Sequence, residues 1–310
     1  MKRHAVLSLW TFLTAMVCFA TGTQPLYPEV ADTSHASNAA TSFFHGYFIA
    51  KSQHNATSWL TFFHSSKLIY YDATLGIAFG SNRSQFETVL PTITQTWTEE
   101  SRSYPLRILG DTTSAVVHLV DTPGMFGGEG RGIAAVDFLD GKVTRQVDYW
   151  DGRGNSLVDG AVPDNQYPDA LGLDTVGEQA PPVMNEVARE LNDALAKGNA
   201  TKVAALFSAD GIFEDMTLRS RLEGRFAIER YLQRALSLLP YGPGTTVSHV
   251  LGSVQGGGYE WRNSGKVVRN GLTSLELDSN GEITRLTALW DGSRINATAI
   301  QALAVLSVEP

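Results

Sequence analysis

The sequence predicts an α+β protein of two tandem units, each with three helices packed in a curved antiparallel sheet. A duplication is the first observation, because residues 141–152 and 281–292 match at six of twelve positions without a gap. The second observation is the order of the predicted elements. In each half of the chain, apolar residues at helical spacing precede segments whose apolar and polar residues alternate as in strands. The length of 310 residues also fits about two domains. The chain is therefore expected to be an internal repeat.

The first residues predict a secretory signal, because a basic start is followed by an apolar run and small residues suited to cleavage. We place this signal at 1–22. It contains the sole cysteine, Cys18, so the mature chain would have no disulfide. The expected location is outside the cell or in the secretory lumen. The run is short for a membrane span, so no membrane association is expected after cleavage.

Repeat one is predicted over 37–153. Apolar residues at helical spacing predict a first helix over 37–53, and Asn55 opens a short second one. A strand over 68–72 leads to a third helix over 82–96, which Pro91 should bend or break. The rest reads as a four-stranded meander over 105–110, 114–121, 130–139 and 142–151.

A segment with four prolines and no regular period, 154–182, is predicted to be a linker. Repeat two follows over 183–295 in the same order. Its helices are expected near 184–198, 202–207 and 225–238. Its strands are expected at 212–215, 246–254, 259–261, 267–277 and 282–290. The glycine run 256–258 is expected to be a tight turn, and the end of the chain is too short for a further domain.

Charge and motifs exclude several function classes. The formal net charge is −8 and the basic residues are scattered, which argues against nucleic acid as a partner. No phosphate-binding glycine loop, dinucleotide motif or metal-ligand spacing is present in the sequence. We therefore expect either cofactor-free chemistry without a metal or no chemistry. The oligomeric state cannot be predicted.

Four Asn-x-Ser/Thr sequons could carry glycans in a eukaryotic secretory pathway. They are Asn55, Asn82, Asn199 and Asn296. Asn55 and Asn199 stand at the same place in the two repeats, where an Asn side chain would cap a helix. Both interpretations stay open at these two positions.

Alternation along the last strand of each repeat suggests where chemistry could lie. One face of the second-repeat strand is apolar and includes Ala288 and Trp290, whereas the first repeat has Asp148 and Trp150 there. If this face lines a pocket, burial should raise the pKa of Asp148 toward a useful range for an acid or base. The opposite face is also half apolar, so a solvent-facing Asp148 remains possible.

The segment 204–215 (Ala-Ala-Leu-Phe-Ser-Ala-Asp-Gly-Ile-Phe-Glu-Asp), with Gly224 and Ile228, resembles the nuclear transport factor 2-like superfamily. This group includes SnoaL-like cyclases, ketosteroid isomerase, scytalone dehydratase and limonene epoxide hydrolase. The resemblance covers about 37–153 and 183–295, and it implies a cone-shaped fold with one pocket per unit. The Asp-Tyr-Trp-Asp string at 148–151 resembles a strand of the epoxide hydrolase, and it implies that Asp148 is an acid or base.

The same resemblance implies further site residues. Asp72 and its duplicate Asp215 end the strand that carries the general base of ketosteroid isomerase, although an Asp there is equally typical of a turn. Tyr47 falls at a hydrogen-bonding tyrosine of that enzyme. His118, in a β-branched strand, would matter only if it lay beside Asp148; otherwise it is an ordinary buried histidine.

Aromatic and polar side chains near these positions are the candidate substrate-binding residues, namely Trp150, Gln146, Tyr71 and Trp59. Repeat two offers only Asp215 and His249, and we expect it to be mainly structural. The leading hypothesis is a cofactor-free enzyme that cyclises, isomerises or opens an epoxide in a hydrophobic polyketide or terpenoid intermediate. The alternative is a non-catalytic secreted protein that binds a ligand or partner. Convergence of Asp148, His118 and Asp72 in one pocket would favour the enzyme.

Overall fold

The computed structural model describes residues 31–80, 82–173 and 176–308, so the predicted signal at 1–22 lies outside the described residues. Two separate sheets, each with its own helices, make up the fold, which confirms the predicted α+β class. Within the described part of the chain, no helix has both the length and the apolar character needed to cross a membrane.

The first unit forms a seven-stranded sheet in the order β1-β4-β5-β6-β7-β2-β3. The meander from β4 to β7 is antiparallel, and β2 joins it in parallel at β7. Its elements are β1 (Asp32–Ala36), α1 (Asn38–Ser52), α2 (Ala56–Leu60), β2 (Ile69–Asp72), β3 (Ile77–Gly80), α3 (Arg83–Thr94), β4 (Ser103–Gly110), β5 (Ser114–Asp121), α4 (Pro123–Phe126), β6 (Gly130–Leu139) and β7 (Lys142–Trp150).

The second unit repeats this arrangement with six strands in the order β10-β11-β12-β13-β8-β9. Here β8 joins the antiparallel meander in parallel at β13, just as β2 joins β7. Its elements are α5 (Pro182–Ala196), α6 (Ala200–Ala205), β8 (Phe207–Asp215), β9 (Ser220–Glu223), α7 (Arg225–Ala235), β10 (Thr246–Gly252), β11 (Gly256–Arg262), β12 (Asn270–Leu277), β13 (Ile283–Trp290) and α8 (Ala297–Val305).

Each sheet has a concave face against its own helices, where apolar side chains of both form the core. In unit one this core is rich in aromatic rings, among them Phe44, Phe63 and Phe86. In unit two the corresponding core is mostly aliphatic and includes Met184, Leu191 and Leu232. The helices therefore stay in place by burying their apolar faces in the sheet, and the strand faces that point inward are fixed by this packing.

The two sheets pack against each other through their convex faces. Apolar residues from both units, including Val116, Val147, Leu251 and Leu289, form one shared cluster there. At the end of β7 the two Trp-Asp-Gly repeats also meet, since the backbone N–H of Gly152 donates to Asp291 Oδ1 at 3.2 Å. The duplication thus produces an internal dimer of two units within one chain.

A buried group of charges lies inside this interface around the fully buried Arg145. Its guanidinium lies 3.1 Å from Asp137 Oδ2 in its own unit and 2.7 Å from Glu260 Oε2 in the other. His249 of unit two contacts Asp137 at 2.8 Å, and Tyr149 of unit one donates to Glu260 at 2.6 Å. All five of these side chains have a partner in the other unit, and these contacts couple the two units.

The glycine run 256–258 starts β11, so the prediction of a tight turn was wrong. A Cβ at Gly256 would lie 2.3 Å from the backbone oxygen of His35 in β1, and one at Gly258 would lie 2.3 Å from the oxygen of Thr273. Glycine is needed because other backbone passes closely over the strand. The segment before the predicted first repeat includes a strand, β1, that pairs with β4 and touches unit two.

Pro91 does not break the third helix, contrary to prediction, since α3 runs through it. A proline removes the hydrogen bond to the carbonyl four residues earlier, here that of Glu87. Glu87 lies on the exposed face of α3, where water can satisfy this carbonyl. The cost of an interior proline is lowest at such a position.

All four sequon asparagines cap helices. The side chains of Asn55, Asn82, Asn199 and Asn296 each accept a backbone N–H from three residues ahead. In each case Oδ1 accepts the bond and the residue is exposed, so the side-chain nitrogen that a glycan would occupy is not used by the cap. Capping and glycosylation are therefore compatible, and glycosylation itself stays a prediction.

Replacing Asn199 by Ala should lower the free energy of unfolding by about 1 kcal/mol, because α6 loses its cap. Asn199→Asp keeps an acceptor but destroys the sequon, so it should remain near wild type in protein made without glycans. Urea denaturation of bacterially expressed protein measures both. Equal losses in the two variants would show that the cap contributes nothing.

Candidate active site in the first unit

A cavity of about 700 Å³ opens on the concave side of the first sheet. Its walls come from α1, α2, α3, the ends of β2, β5, β6 and β7, and the short helix α4, with the segment after β7 at its mouth. Most lining side chains are apolar, which suits a hydrophobic small molecule. They include Trp59, Leu75, Phe79, Phe86, Leu90, Ile93, Trp97, Leu119, Met125, Phe126, Trp150 and Leu157.

Two carboxylates stand side by side on this apolar wall. Asp72 ends β2 and Asp148 lies in β7, and the two residues are direct partners in the parallel register of these strands. Both line the cavity. Asp148 therefore lies on the concave face, which is one of the two orientations that the sequence left open.

Asp72 is buried and accepts two hydrogen bonds. Oδ1 accepts the backbone N–H of Leu75 at 2.8 Å, and Oδ2 accepts the indole N–H of Trp150 at 2.8 Å. Burial raises the pKa of Asp72 to about 7, although both hydrogen bonds oppose this rise by favouring the charged form. The nearby Asp148 charge adds to the rise. Near neutral pH this carboxyl group can therefore hold or release a proton.

Asp148 is only partly exposed, and its two oxygens accept bonds from different donors. The hydroxyl of Tyr70 donates to Oδ2 at 2.6 Å, and the side-chain amide of Gln146 donates to Oδ1 at 2.9 Å. Gln146 is held in turn by Tyr47, whose hydroxyl donates to its Oε1 at 3.0 Å. Burial raises the pKa of Asp148, while the Lys51 charge and these hydrogen bonds oppose the rise. These two hydrogen bonds, from Tyr47 to Gln146 and from Gln146 to Asp148, fix the orientation of the carboxylate.

Trp150→Phe should raise the pKa of Asp72 by about one unit, because it removes a donor that favours the charged carboxylate. The ring remains in the cavity wall, so packing should change little. Carbon-13 NMR titration of labelled aspartate carboxyls would show one group titrating near 7 in wild type and higher in the variant. An unchanged titration would mean that the indole does not set this pKa.

Three polar residues of the cavity were not among the sequence candidates. Tyr70 contacts Asp148 directly, and Lys51 lies 2.9 Å from Asp121, with both residues of this ion pair lining the cavity. Lys51 follows Tyr47 by four residues on α1, so it falls on the same helix face. A lysine on an otherwise apolar helix face was the signal that could have revealed it.

His118 does not reach Asp148, so the expected convergence with Asp148 and Asp72 is not found. It lies on the convex face of β5, where its Nε2 is 2.9 Å from Ser274 Oγ of unit two. Burial lowers the pKa of His118 well below its usual value, helped by Arg107 and Arg285. It is a neutral histidine of the interface between the sheets.

The four predicted substrate-binding residues divide between the two sides of the sheet. Trp150 and Trp59 line the cavity. Gln146 lies behind Asp148 and orients it, as described above, rather than lining the cavity. Tyr71 packs against the convex-face cluster between the units, because it alternates with Tyr70 and Asp72 along β2.

The equivalent place in the second unit is closed. Asp215 accepts the indole N–H of Trp290 at 3.1 Å, as Asp72 does from Trp150, but it also accepts the hydroxyl of Tyr241 at 2.8 Å. Ala288 replaces Asp148, and it is fully buried with Trp290 in the core. Burial raises the pKa of Asp215 to about 6, although four hydrogen bonds, two from backbone and two from side chains, oppose the rise. His249, the other candidate, lies in the interface charge group.

Comparison with known proteins gives fold neighbours. No protein-family model matches the chain, and no match was found among curated proteins. A steroid delta-isomerase from Pseudomonas aeruginosa is 13% identical, and the match covers 42% of this chain and 93% of that chain with a TM-score of 0.32. A SnoaL-like protein of unknown function from Burkholderia thailandensis is 16% identical, with 36% of this chain and 96% of that chain covered and a TM-score of 0.31. A nuclear transport factor 2-like protein of unknown function from Burkholderia xenovorans is 20% identical, with 35% of this chain and 83% of that chain covered and a TM-score of 0.29.

Each of these structures spans a length close to one unit of the chain, and the low identities and TM-scores carry nothing about activity. Their names fall in the group that the sequence resembles. The two tandem α+β units have the fold class that the resemblance of the sequence implies.

Proposed function

We propose that the chain is a cofactor-free acid/base enzyme that acts on a hydrophobic small molecule in the first unit. The observation that carries this proposal is the pair Asp72 and Asp148 on the wall of a largely apolar cavity. Two carboxyls whose surroundings differ can divide the roles of acid and base at one pH. The second unit, whose equivalent site is closed, would support the first through the convex faces.

Asp148 is the better base of the pair. The Lys51 charge favours the carboxylate of Asp148, whereas the neighbouring Asp148 charge raises the pKa of Asp72. Asp148 is also the more exposed of the two residues. Asp72, with a pKa of about 7, can supply a proton on the same wall. One proton removed by Asp148 and one delivered by Asp72 would suffice for isomerisation, cyclisation or epoxide opening. A polyketide or terpenoid intermediate is the substrate class that the family resemblance implies.

Gene deletion and complementation in the native host test this function. We expect deletion to accumulate a precursor that the wild-type gene clears and the Asp148→Asn gene does not. Asp140→Asn, in an exposed turn that does not line the cavity, is the matched control and should clear it. If Asp148→Asn also clears the precursor, Asp148 is not the catalyst. If deletion changes no metabolite, the small-molecule function is wrong.

The alternative is a non-catalytic ligand-binding protein, and the same cavity could serve it. Metabolites co-purified from host extract would separate the two. An enzyme should release a converted product from wild type and retain unconverted precursor on Asp148→Asn, whereas a binder should return the same compound from both. Secretion and glycosylation are further parts of the proposal, and detection of glycan on protein from the culture medium would test them.

A further inference from the structure

An ion pair forms part of the cavity wall beside the carboxylates. Lys51 is 96% buried in the last turn of α1 and donates to both oxygens of Asp121, at 2.9 and 3.2 Å. Its ammonium also lies 5.6 Å from the centre of the Trp59 ring. A buried lysine is usually destabilised as a cation, but the Asp121 carboxylate keeps this one paired.

Among the residues that the structure describes, the Lys51 ammonium donates only to the two oxygens of Asp121. A lysine carries three N–H donors, so one of them is left for an acceptor in the cavity. Trp97, a buried neighbour on the same wall, adds another donor, because its indole N–H finds no acceptor among the residues that the structure describes. The ring centroids of Trp97 and Trp59 lie 6.0 Å apart. The Trp97 indole N–H and the Lys51 ammonium, which lies over the Trp59 ring, are therefore at the same end of the cavity.

Unused donors at a buried wall are costly unless something accepts from them. The acidic groups nearby are engaged: Asp121 by Lys51, and Asp148 by Tyr70 and Gln146. A ligand that brings an acceptor oxygen would satisfy the donors, whereas a pure hydrocarbon would leave them unsatisfied.

We propose that Lys51, supported by Trp97, anchors an acceptor-only oxygen of the ligand, such as a carbonyl or ether oxygen on a large apolar body. Asp121 positions the Lys51 ammonium through the two hydrogen bonds to its oxygens. The inference rests on the proposed function for the identity of the site, and it adds the polar group by which the ligand is oriented toward Asp148. The Lys51 charge acts on Asp148, so the anchored oxygen lies in the same electrostatic field as the base.

Two probes of the same shape test the anchor at equilibrium. 2-Acetylnaphthalene carries a ketone oxygen, and 2-isopropenylnaphthalene has a methylene group in its place. We expect Lys51→Met to weaken binding of the ketone about tenfold, because the ketone loses a hydrogen bond from a charged donor. The affinity for the alkene should stay within about twofold of the wild-type value. Trp97→Phe should weaken binding of the ketone by a smaller factor. Lys67→Met, at an exposed lysine, is the control and should change neither.

Lys51→Met leaves Asp121 without its partner, so the variant could fold poorly. Lys51→Met combined with Asp121→Leu removes both charges and keeps the test possible, and it should show the same selective loss of ketone binding. Infrared spectra of carbonyl-labelled ketone add a direct signal. The C=O stretch should move to lower frequency in wild type and return in both Lys51 variants.

Equal loss for ketone and alkene would overturn the anchor and leave Lys51 a packing residue. So would a ketone bound by wild type with an unshifted carbonyl stretch. Because binding is measured without turnover, these outcomes are separate from failure of the proposed function, which depends on whether Asp148→Asn stops conversion.

Discussion

Asp148→Asn should lower kcat/KM for the native precursor by about 10²- to 10⁴-fold, the usual contribution of a positioned acid or base. Asparagine has nearly the shape of aspartate and can still accept the Tyr70 hydrogen bond, so the cavity should keep its form. Binding of the precursor should therefore change little while conversion is lost. Steady-state kinetics and equilibrium binding on the purified chain measure the two effects separately.

Asp140→Asn serves as the comparison for this variant, because it makes the same chemical change at an exposed position. Its kcat/KM should equal that of wild type. A fall in affinity as large as the fall in kcat/KM would indicate that Asp148 binds the ligand rather than moving a proton.

Arg145→Met should lower the free energy of unfolding by about 3–5 kcal/mol, because it leaves Asp137 and Glu260 charged and unpaired between the sheets. It also removes the bond from Arg145 Nε to the backbone oxygen of Leu171, at 3.0 Å, which holds the segment between the units. Urea denaturation measures the loss. Because these ion pairs join the two units, the units should also unfold less cooperatively in the variant.

Arg131→Met is the matched control, since the Arg131–Glu129 pair at 2.8 Å is exposed on both sides. Such a surface pair contributes little, so this variant should lie within about 0.5 kcal/mol of wild type. If Arg145→Met lowers the free energy of unfolding no more than Arg131→Met does, the buried charges do not stabilise the interface.

Much of the fold could be predicted because periodicity reports which faces are buried. The duplication identified the two units, and alternation in β7 reduced the placement of Asp148 to two faces, of which the structure shows the concave one. The strand β1 and the need for glycine at 256 could not be predicted, because both depend on backbone that is distant in the sequence: β1 pairs with β4, and His35 of β1 lies against Gly256 of unit two. Local patterns carry no information about such a long-range contact.

The candidate site was predicted only in part for a related reason. Asp72, Asp148, Trp150 and Trp59 lie at the cavity, but alternation in β5 could not show which face of that strand meets the second unit. His118 therefore turned out to belong to the interface. Lys51 and Asp121 are far apart in sequence, and only the fold brings them together.

If chemistry takes place at the carboxylate pair of the first unit, the precursor must bind there. A crystal structure of Asp148→Asn with the precursor that it fails to convert would show this. We expect the precursor in the first-unit cavity, with a reacting atom about 3–3.5 Å from the side chain at position 148. A precursor bound in the second unit or between the sheets, and not in the first-unit cavity, would show that the carboxylate pair is not the site of reaction.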